Sequence, residues 1–327
     1  MTATAFANAI QETFGDRARR SCPLAPLTTF RVGGPADWLL DVRTSAELAT
    51  ALGLASREGI PVTILGGGSN VLVSDAGVRG LVLRARGGEI RRTGEDRVRA
   101  DAAVTINGLV RWTINHGCAG LEGWAGTPGT VGGAIVGNAH FAGHLIGDLV
   151  KRVRLVSRAG VETDVPRHQL SFGYEGSRLR TTGEILLWAE FAITDGDPAT
   201  LRKVARESLA FRKRTQPLDT PSAGCVFRNP RPGRDIVPDG MPWSAGALID
   251  RAGLKGESVG GARVSATHGN FIVNEGHATA RDIRVLVDLC RRRVREQFGV
   301  ELREEIVYLG TFDQPPPTNH PPPTTDH

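Results

Sequence analysis

Four cysteines are spread through 327 residues, at positions 22, 118, 225 and 290. None stands in a C-x-x-C pair, so neither a zinc site nor a thioredoxin-like redox centre has support. Their wide spacing argues against a disulfide framework. Cys118 and Cys290 read as small core residues. Long hydrophobic runs are also missing: none approaches the ~20 residues that a membrane helix needs. The first twenty residues contain acids and polar breaks and lack the apolar centre of a signal peptide. A cytoplasmic protein without membrane contact is therefore expected.

Charge of one sign is scarce. Forty Lys and Arg face 35 Asp and Glu, for a net charge of +5. Nucleic-acid binding would favour a basic stripe with interleaved aromatics, and the basic runs at 291–293 and 212–214 are short. The first reads as a solvated helix face. In the second, Arg212 and Lys213 end a helix, where they complement its dipole or meet substrate phosphates. No nucleic-acid partner and no obligate protein partner are expected. Scattered arginines suit a small anionic substrate. Two nucleotide signatures are missing as well. There is no G-x-x-x-x-G-K-[ST] loop, and Val71 occupies the third glycine position of a dinucleotide fingerprint.

Glycine, by contrast, is abundant, with 41 residues. Two stretches organise the first half: Leu65-Gly66-Gly67-Gly68-Ser69-Asn70 and Gly126-Thr127-Pro128-Gly129-Thr130-Val131-Gly132-Gly133-Ala134. Without side chains the backbone can approach a ligand and turn its N–H groups to negative charge. The second stretch, with Asn138 close behind, is costly in backbone entropy if it binds nothing. Both are read as clamps on the phosphates of a nucleotide cofactor.

The length suggests roughly two domains. In chain order we expect a helix over 1–20, a strand over 37–42 and a helix over 44–58. Thr44 and Glu47 supply that helix's capping pattern. Strands over 61–65 and 71–73 complete a β-α-β unit, with the first glycine cluster at a strand's C-terminal end. Strands then fall at 81–85, 97–102, 149–157, 161–165 and 184–194, with a helix at 107–116. A helix over 198–214 ends in a breaker-rich loop at 215–221, where a domain boundary is placed. Helices at 244–252 and 279–298 and strands at 262–265, 271–273 and 301–309 follow. The segment from Pro315 onward is expected to be disordered, with polyproline II bias.

Taken together, several blocks resemble the UDP-N-acetylenolpyruvoylglucosamine reductase family. They are 121–134 with Gly137-Asn138-Ala139, 29–36, 66–70, Gln216-Pro217, Ser222-Ala223-Gly224-Cys225-Val226-Phe227-Arg228-Asn229-Pro230, 265–274, and Leu302-Arg303-Glu304-Glu305-Ile306. The match runs in order from about Leu27 to Gly310. The resemblance implies an α+β protein with a vanillyl-alcohol-oxidase (PCMH) type FAD-binding fold. Its two α/β lobes would span 21–80 and 81–210, an α/β substrate domain 211–310, and a tail 311–327.

It further implies an oxidoreductase of cell-wall (peptidoglycan) synthesis, and so of cell shape and division, using FAD and NADPH on a UDP-sugar. Hydride would pass to C3 of the enolpyruvyl group of UDP-N-acetylglucosamine enolpyruvate. The carbanion or enol at C2 would be stabilised and protonated to give UDP-N-acetylmuramate. Alternatives are a flavin oxidase or dehydrogenase of the same fold, or a flavin protein with impaired turnover. Implied cofactor residues are Arg31, Gly66, Gly67, Gly68, Ser69, Asn70, Gly126, Thr127, Pro128, Gly129, Thr130, Gly133, Ala134, Gly137 and Asn138. Implied substrate residues are Tyr174, Asn229, His268 and Asn270.

Cys225 stands where the family carries the serine that donates the C2 proton. A thiol, with a reference pKa near 8.5, is intrinsically the better acid, so Cys225 is the expected donor. Glu305 matches the family's glutamate that acts on the intermediate. The main departure is at Glu175, where the family has an arginine that stabilises the intermediate's charge. A carboxylate there would repel an anion. Either Glu175 turns outward and Arg178 or Arg180 supplies the charge, or Glu175 is protonated, or turnover is slow; the reading favours Arg178. His140, in place of a family glycine, reads as a packing or surface residue. The segment from Tyr174 to Cys225 is too short for the substrate-covering loop of the family's long form. Closure would then rely on domain movement or on other residues.

Overall fold

The computed structural model describes residues 2–174 and 176–312. Glu175 and the proline-rich segment from 313 onward lie outside the described residues.

The first lobe begins with α1 (Thr2–Phe14) and β1 (Ala18–Pro23). The helix expected over 1–20 therefore stops early, and its polar end is an edge strand. β2 (Pro35–Val42), α2 (Ser45–Arg57), β3 (Val62–Ile64), β4 (Val71–Val73) and β5 (Val78–Ala85) follow. The Thr44 hydroxyl accepts from the Glu47 N–H at 3.1 Å, and the Glu47 carboxylate accepts from the Arg43 N–H at 2.8 Å. A cap of this kind is worth about 1 kcal/mol.

The sheet order is β1-β2-β5-β3. β5 runs parallel to both β2 and β3 and separates them. It also runs across the boundary expected at residue 80. Phe6, Ile10 and Phe14 of α1 and Leu48 and Leu52 of α2 pack over Trp38, Leu40 and Leu81. β4 does not join this sheet.

The second lobe is a five-stranded antiparallel sheet. It contains β6 (Ile90–Gly94), β7 (Arg97–Asp101) and the strands Ile185–Ala192, Val150–Val156 and Glu162–Pro166. β6 is an edge strand with little burial, so it carries no hydrophobic alternation to reveal it. α3 (Ile106–Asn115) and α4 (Val131–Gly137) bury Leu109, Val110 and Ile135 against Val98, Val153 and Phe191. Half of the second glycine stretch is therefore helix. Thr130 caps it, its hydroxyl accepting from the Gly133 N–H at 3.3 Å. The long helix Pro198–Thr215 packs on this lobe.

The last third places helices Ala245–Arg251 and Ala280–Phe298 with a small sheet made of Ser258–Val259, Ala262–Val264 and Ile272–Asn274. Cys290 is buried in its core, as Cys118 is in that of the second lobe. The core of the last third also takes in Phe30, Val32 and Leu72 from the first lobe. Burying a side chain of Phe30's size is worth roughly 1.5–3 kcal/mol. Only Val307–Leu309 of the strand expected over 301–309 forms, and it pairs in parallel with β4. The preceding residues lie across the Cys225 segment instead. The Arg228 N–H donates to the Arg303 carbonyl at 2.8 Å and the Glu305 N–H to the Val226 carbonyl at 2.7 Å. No helix among the described residues is long and apolar enough to cross a membrane.

Candidate active site

The two glycine stretches meet backbone to backbone. A Cβ on Gly67 would stand 2.7 Å from Gly129 Cα, and one on Gly129 would stand 2.6 Å from Ser69 Oγ. Gly68, at φ +64°, lies so close to Leu27 and Thr28 that no side chain fits. Gly66, Gly67, Pro128 and Gly133 are exposed and form a wall nearly free of side chains. The Gly68 carbonyl accepts from the Thr29 N–H at 2.9 Å and the Asn70 carbonyl from the Val307 N–H at 3.0 Å. Among the described residues no hydrogen bond takes up the N–H groups of Gly66, Gly67, Gly68 or Ser69. A wall of open backbone with free donors fits the phosphates of a dinucleotide cofactor.

From this wall the chain leads directly to the reactive side chains. Asn70 Nδ2 donates to the Glu305 carbonyl at 3.2 Å. Glu305 lies beside the segment that carries Cys225, which forms a bridge to Phe271. Burial raises the Glu305 carboxyl above the usual carboxylate range, although His140, Arg228 and Arg180 oppose this. Its Oε1 is 3.9 Å from His140 Nδ1. Burial, together with the Glu305 charge, pushes the Cys225 thiol up to about 12. Tyr174 joins the group. Its ring is 5.1 Å from that of His140, and its hydroxyl is hydrogen-bonded to Asn229. Burial, then the charges of Glu305 and Cys225, raise the Tyr174 phenol. Arg228, Asn229 and Arg231 line the outer wall beside Tyr174, with Arg231 lying 5.4 Å over its ring. A partly enclosed acid–thiol pair beside a phosphate-type cradle, with cations around it, suits proton chemistry on an anionic substrate next to a bound nucleotide.

Comparison with known proteins agrees with this geometry. Residues 36–165 match the FAD binding domain, and residues 216–309 match the C-terminal domain of UDP-N-acetylenolpyruvoylglucosamine reductase. The chain is 39% identical over 303 residues to the UDP-N-acetylenolpyruvoylglucosamine reductase of Synechococcus sp. (strain JA-3-3Ab), covering 91% of this chain and 93% of that one. It is 42% identical over 296 residues to the UDP-N-acetylenolpyruvoylglucosamine reductase 2 of Symbiobacterium thermophilum, covering 90% and 92%. The crystal structure of the Thermus caldophilus reductase (MurB) superposes with a TM-score of 0.74 at 35% identity, over 90% of this chain and 99% of that one. The chain belongs to the UDP-N-acetylenolpyruvoylglucosamine reductase family.

Within this reductase fold, Cys225, Glu305, Tyr174 and Asn229 come together. Arg178 does not join them. Its guanidinium is spent on Glu184 at 2.8 Å, so the expectation that it replaces the family arginine is corrected. Arg180, two residues on, faces Glu305 and Arg228 instead. Glu175 itself lies outside the described residues.

Several residues expected to contact a ligand also make bracing contacts within the fold. Asn270 is 3% exposed; its Oδ1 accepts from the Phe227 N–H at 2.8 Å and its Nδ2 donates to the Phe227 carbonyl at 2.7 Å. It also hydrogen-bonds the Cys225 side chain, so it positions the thiol strand. His268 accepts the Asn270 N–H at Nδ1 and packs on Phe271 and Gly246, with its pKa lowered by burial. Asn138 is wholly buried in a left-handed conformation, and its amide joins Gly147 to Gly173. Gly126 faces Leu209 and Arg212. Gly137 borders Arg180, and Ala134 is in the core. Arg31, exposed at φ 56°, sits between the two buried residues that anchor the first lobe to the last third.

Two participants escaped the sequence reading. His140 is part of the Glu305 cluster rather than a packing or surface residue. Its signal was the departure from the family's glycine. Arg212, expected either to complement its helix's dipole or to meet substrate phosphates, lies in the last turn of that helix but is buried. It donates to Thr127 Oγ1 at 2.7 Å, its guanidinium lies 3.5 Å over the Phe141 ring, and burial lowers its pKa to about 10.

Proposed function

We propose that this chain reduces the enolpyruvyl group of UDP-N-acetylglucosamine enolpyruvate to UDP-N-acetylmuramate, a peptidoglycan precursor. The carrying observation is the direct hydrogen bond between the two halves of the site: Asn70, at the end of the glycine cradle, holds the backbone of Glu305. The cradle of residues 66–70 and 127–130 would hold FAD, with Arg212 supporting Thr127. When bound and reduced by NADPH, FAD supplies the hydride for the substrate's C3. Residues 216–309 would carry the substrate groups.

In this reading Cys225 Sγ holds the proton destined for C2. The raised pKa keeps the thiol protonated at neutral pH, which a donor requires. Asn270 fixes the strand on which the thiol sits. Glu305 borders the reacting group; burial raises its carboxyl above the usual carboxylate range, against the opposing charges of His140, Arg228 and Arg180. Arg228, Arg231, Tyr174 and Asn229 form the outer wall, suited to the diphosphate of the UDP-sugar. NADPH and nucleotide sugars are cytoplasmic metabolites, so we place the reaction in the cytoplasm, in support of cell shape and division.

The test is spectroscopic. The purified protein is expected to be yellow, to bleach anaerobically with NADPH, and to regain its colour with UDP-N-acetylglucosamine enolpyruvate. A protein that stays colourless after reconstitution with FAD refutes the flavin reading. Bleaching that only oxygen reverses refutes the substrate and favours an oxidase.

A further inference from the structure

Hydride addition at C3 breaks the C2=C3 π bond and leaves an electron pair on C2. That pair spreads into the neighbouring carboxylate, which briefly carries close to two negative charges until Cys225 Sγ delivers its proton and C2–H forms. The thiolate is reprotonated from solvent, and NADPH is the electron source. Charge that builds in a partly enclosed site beside Glu305 calls for a preorganised cation. This requirement rests on the functional reading above.

The cations near the site differ in availability. Arg178 is paired with Glu184. Arg212 donates to Thr127 and lies on Phe141. Arg228 and Arg231 line the outer wall with Tyr174 and Asn229. Arg180 is not on that wall. Its Nε, like those of Arg178 and Arg212, is shielded from solvent without a hydrogen-bond partner among the described residues; but Arg178 spends Nη2 on Glu184 and Arg212 spends Nη2 on Thr127, whereas no side-chain bond among the described residues occupies Arg180. A buried donor without an acceptor is costly, and the charge of this side chain acts on Glu305.

The backbone around Arg180 makes room for it. A Cβ on Gly176 would stand 2.7 Å from Arg180 Nε, and one on Gly137 would stand 3.8 Å from its Nη2. Ser177 fastens the segment to the end of α4, its N–H and hydroxyl both donating to the Val136 carbonyl at 3.1 Å. Gly173, on the near side of the segment, is held by Asn138 Nδ2 at 2.8 Å. The guanidinium is thus placed before any ligand arrives. Burial and the nearby Arg228 charge lower its pKa, with Glu305 opposing, so an incoming anion would relieve an imperfectly balanced cation.

We propose that Arg180 is the cation that receives the substrate's carboxylate and balances the charge that grows on it, replacing the arginine missing at position 175. The family's usual position is then dispensable in this chain.

Anaerobic stopped-flow measurement of the two half-reactions tests this. Arg180→Ala is expected to slow reoxidation by UDP-N-acetylglucosamine enolpyruvate about 10²–10³-fold. Reduction by NADPH should stay within about twofold. Added guanidinium ion should restore part of the reoxidation rate in this variant and none in the parent. Arg180→Lys, which keeps the charge, should lose less than Arg180→Ala, and flavin absorbance checks that both variants are folded and loaded. The proposal is overturned if Arg180→Ala reoxidises at the parent rate, if both half-reactions fall together without rescue, or if Arg178→Gln causes the larger loss. If the parent itself is not reoxidised by this substrate, the functional reading fails and takes this one with it. A parent that is reoxidised beside an unaffected Arg180→Ala refutes only Arg180.

Discussion

The proton-donor role of Cys225 depends on the thiol staying a thiol. Burial and the Glu305 charge move its pKa from the ordinary 9.0 to about 12. That difference is worth about 4 kcal/mol in favour of the protonated form. At pH 8 the thiolate fraction falls from about one in ten to about one in 10⁴. The side chain is not sealed, because Cys225 is only partly covered, so a small alkylating reagent can test its ionisation. Holoenzyme is treated with iodoacetamide between pH 7 and 10.5, and each cysteine is followed by peptide mass spectrometry with Cys22 as internal reference. Steric cover lowers the rate at every pH but does not move the midpoint. The Cys225 rate is expected to rise tenfold per pH unit through pH 10 without levelling. A plateau at pH 9 or below would refute the reasoning. Stability follows the same linkage. Between pH 9 and 12 the unfolded chain has lost this proton while the folded one keeps it, so stability falls as pH rises through that window and is unaffected below it. Cys290, also pushed up to about 12 by burial, adds to the same slope.

Two further perturbations probe the rest of the site. Gly67→Ala places a methyl group 2.7 Å from Gly129 Cα; it should separate the two glycine loops and weaken FAD retention more than tenfold in gel filtration, and unchanged flavin content would contradict the cradle. Glu305→Gln removes a carboxyl whose pKa burial raises. The folded state pays for that charge at high pH and not when the carboxyl is protonated in both states. The substitution should therefore raise Tm at pH 8 while slowing reoxidation, and the Tm gain should vanish as pH falls toward 4.5. A gain that grows on acidification would reverse the assigned sign.

The glycine stretches stand out in the sequence because such a run is costly in backbone entropy unless used; Cys225 and Glu305 stand out only through the family resemblance, since a carboxylate beside Glu301 and Glu304 otherwise reads as a surface residue. Direction was not legible. Arg178 and Arg180 border one short helix, Leu179–Thr182, and side chains two apart on a helix do not share a face. One therefore pairs with Glu184 and the other turns toward Gly176 and Gly137, a choice that composition cannot make. Asn138 reads as a ligand contact because it follows a glycine-rich run, and Asn270 because it falls in a block that faces substrate in the resembled family. Both are buried, where an amide is held by backbone partners. β4 was legible as a strand but not in its pairing, because its partner lies more than 230 residues away at Val307–Leu309.

That distant pairing bears on how the site closes. A chain without the long-form loop was expected to close by domain movement or through other residues. The last third, however, is tied to the first lobe in three ways. Phe30, Val32 and Leu72 lie in its hydrophobic core. Val307–Leu309 pairs with β4. The Asp75 carboxylate accepts the N–H groups of Ala280 and Arg281 at 2.8 and 2.9 Å, at the start of the long helix Ala280–Phe298. Swinging this unit away would break a strand pair, leave two helix N–H groups without the Asp75 acceptor and expose Phe30 together. The last two ties follow directly from the strand that leaves the glycine cradle. The residue before that strand, Asn70, also holds the Glu305 backbone, so a swing would displace Glu305 from the glycine wall. These ties argue against a rigid-body hinge between the last third and the first lobe.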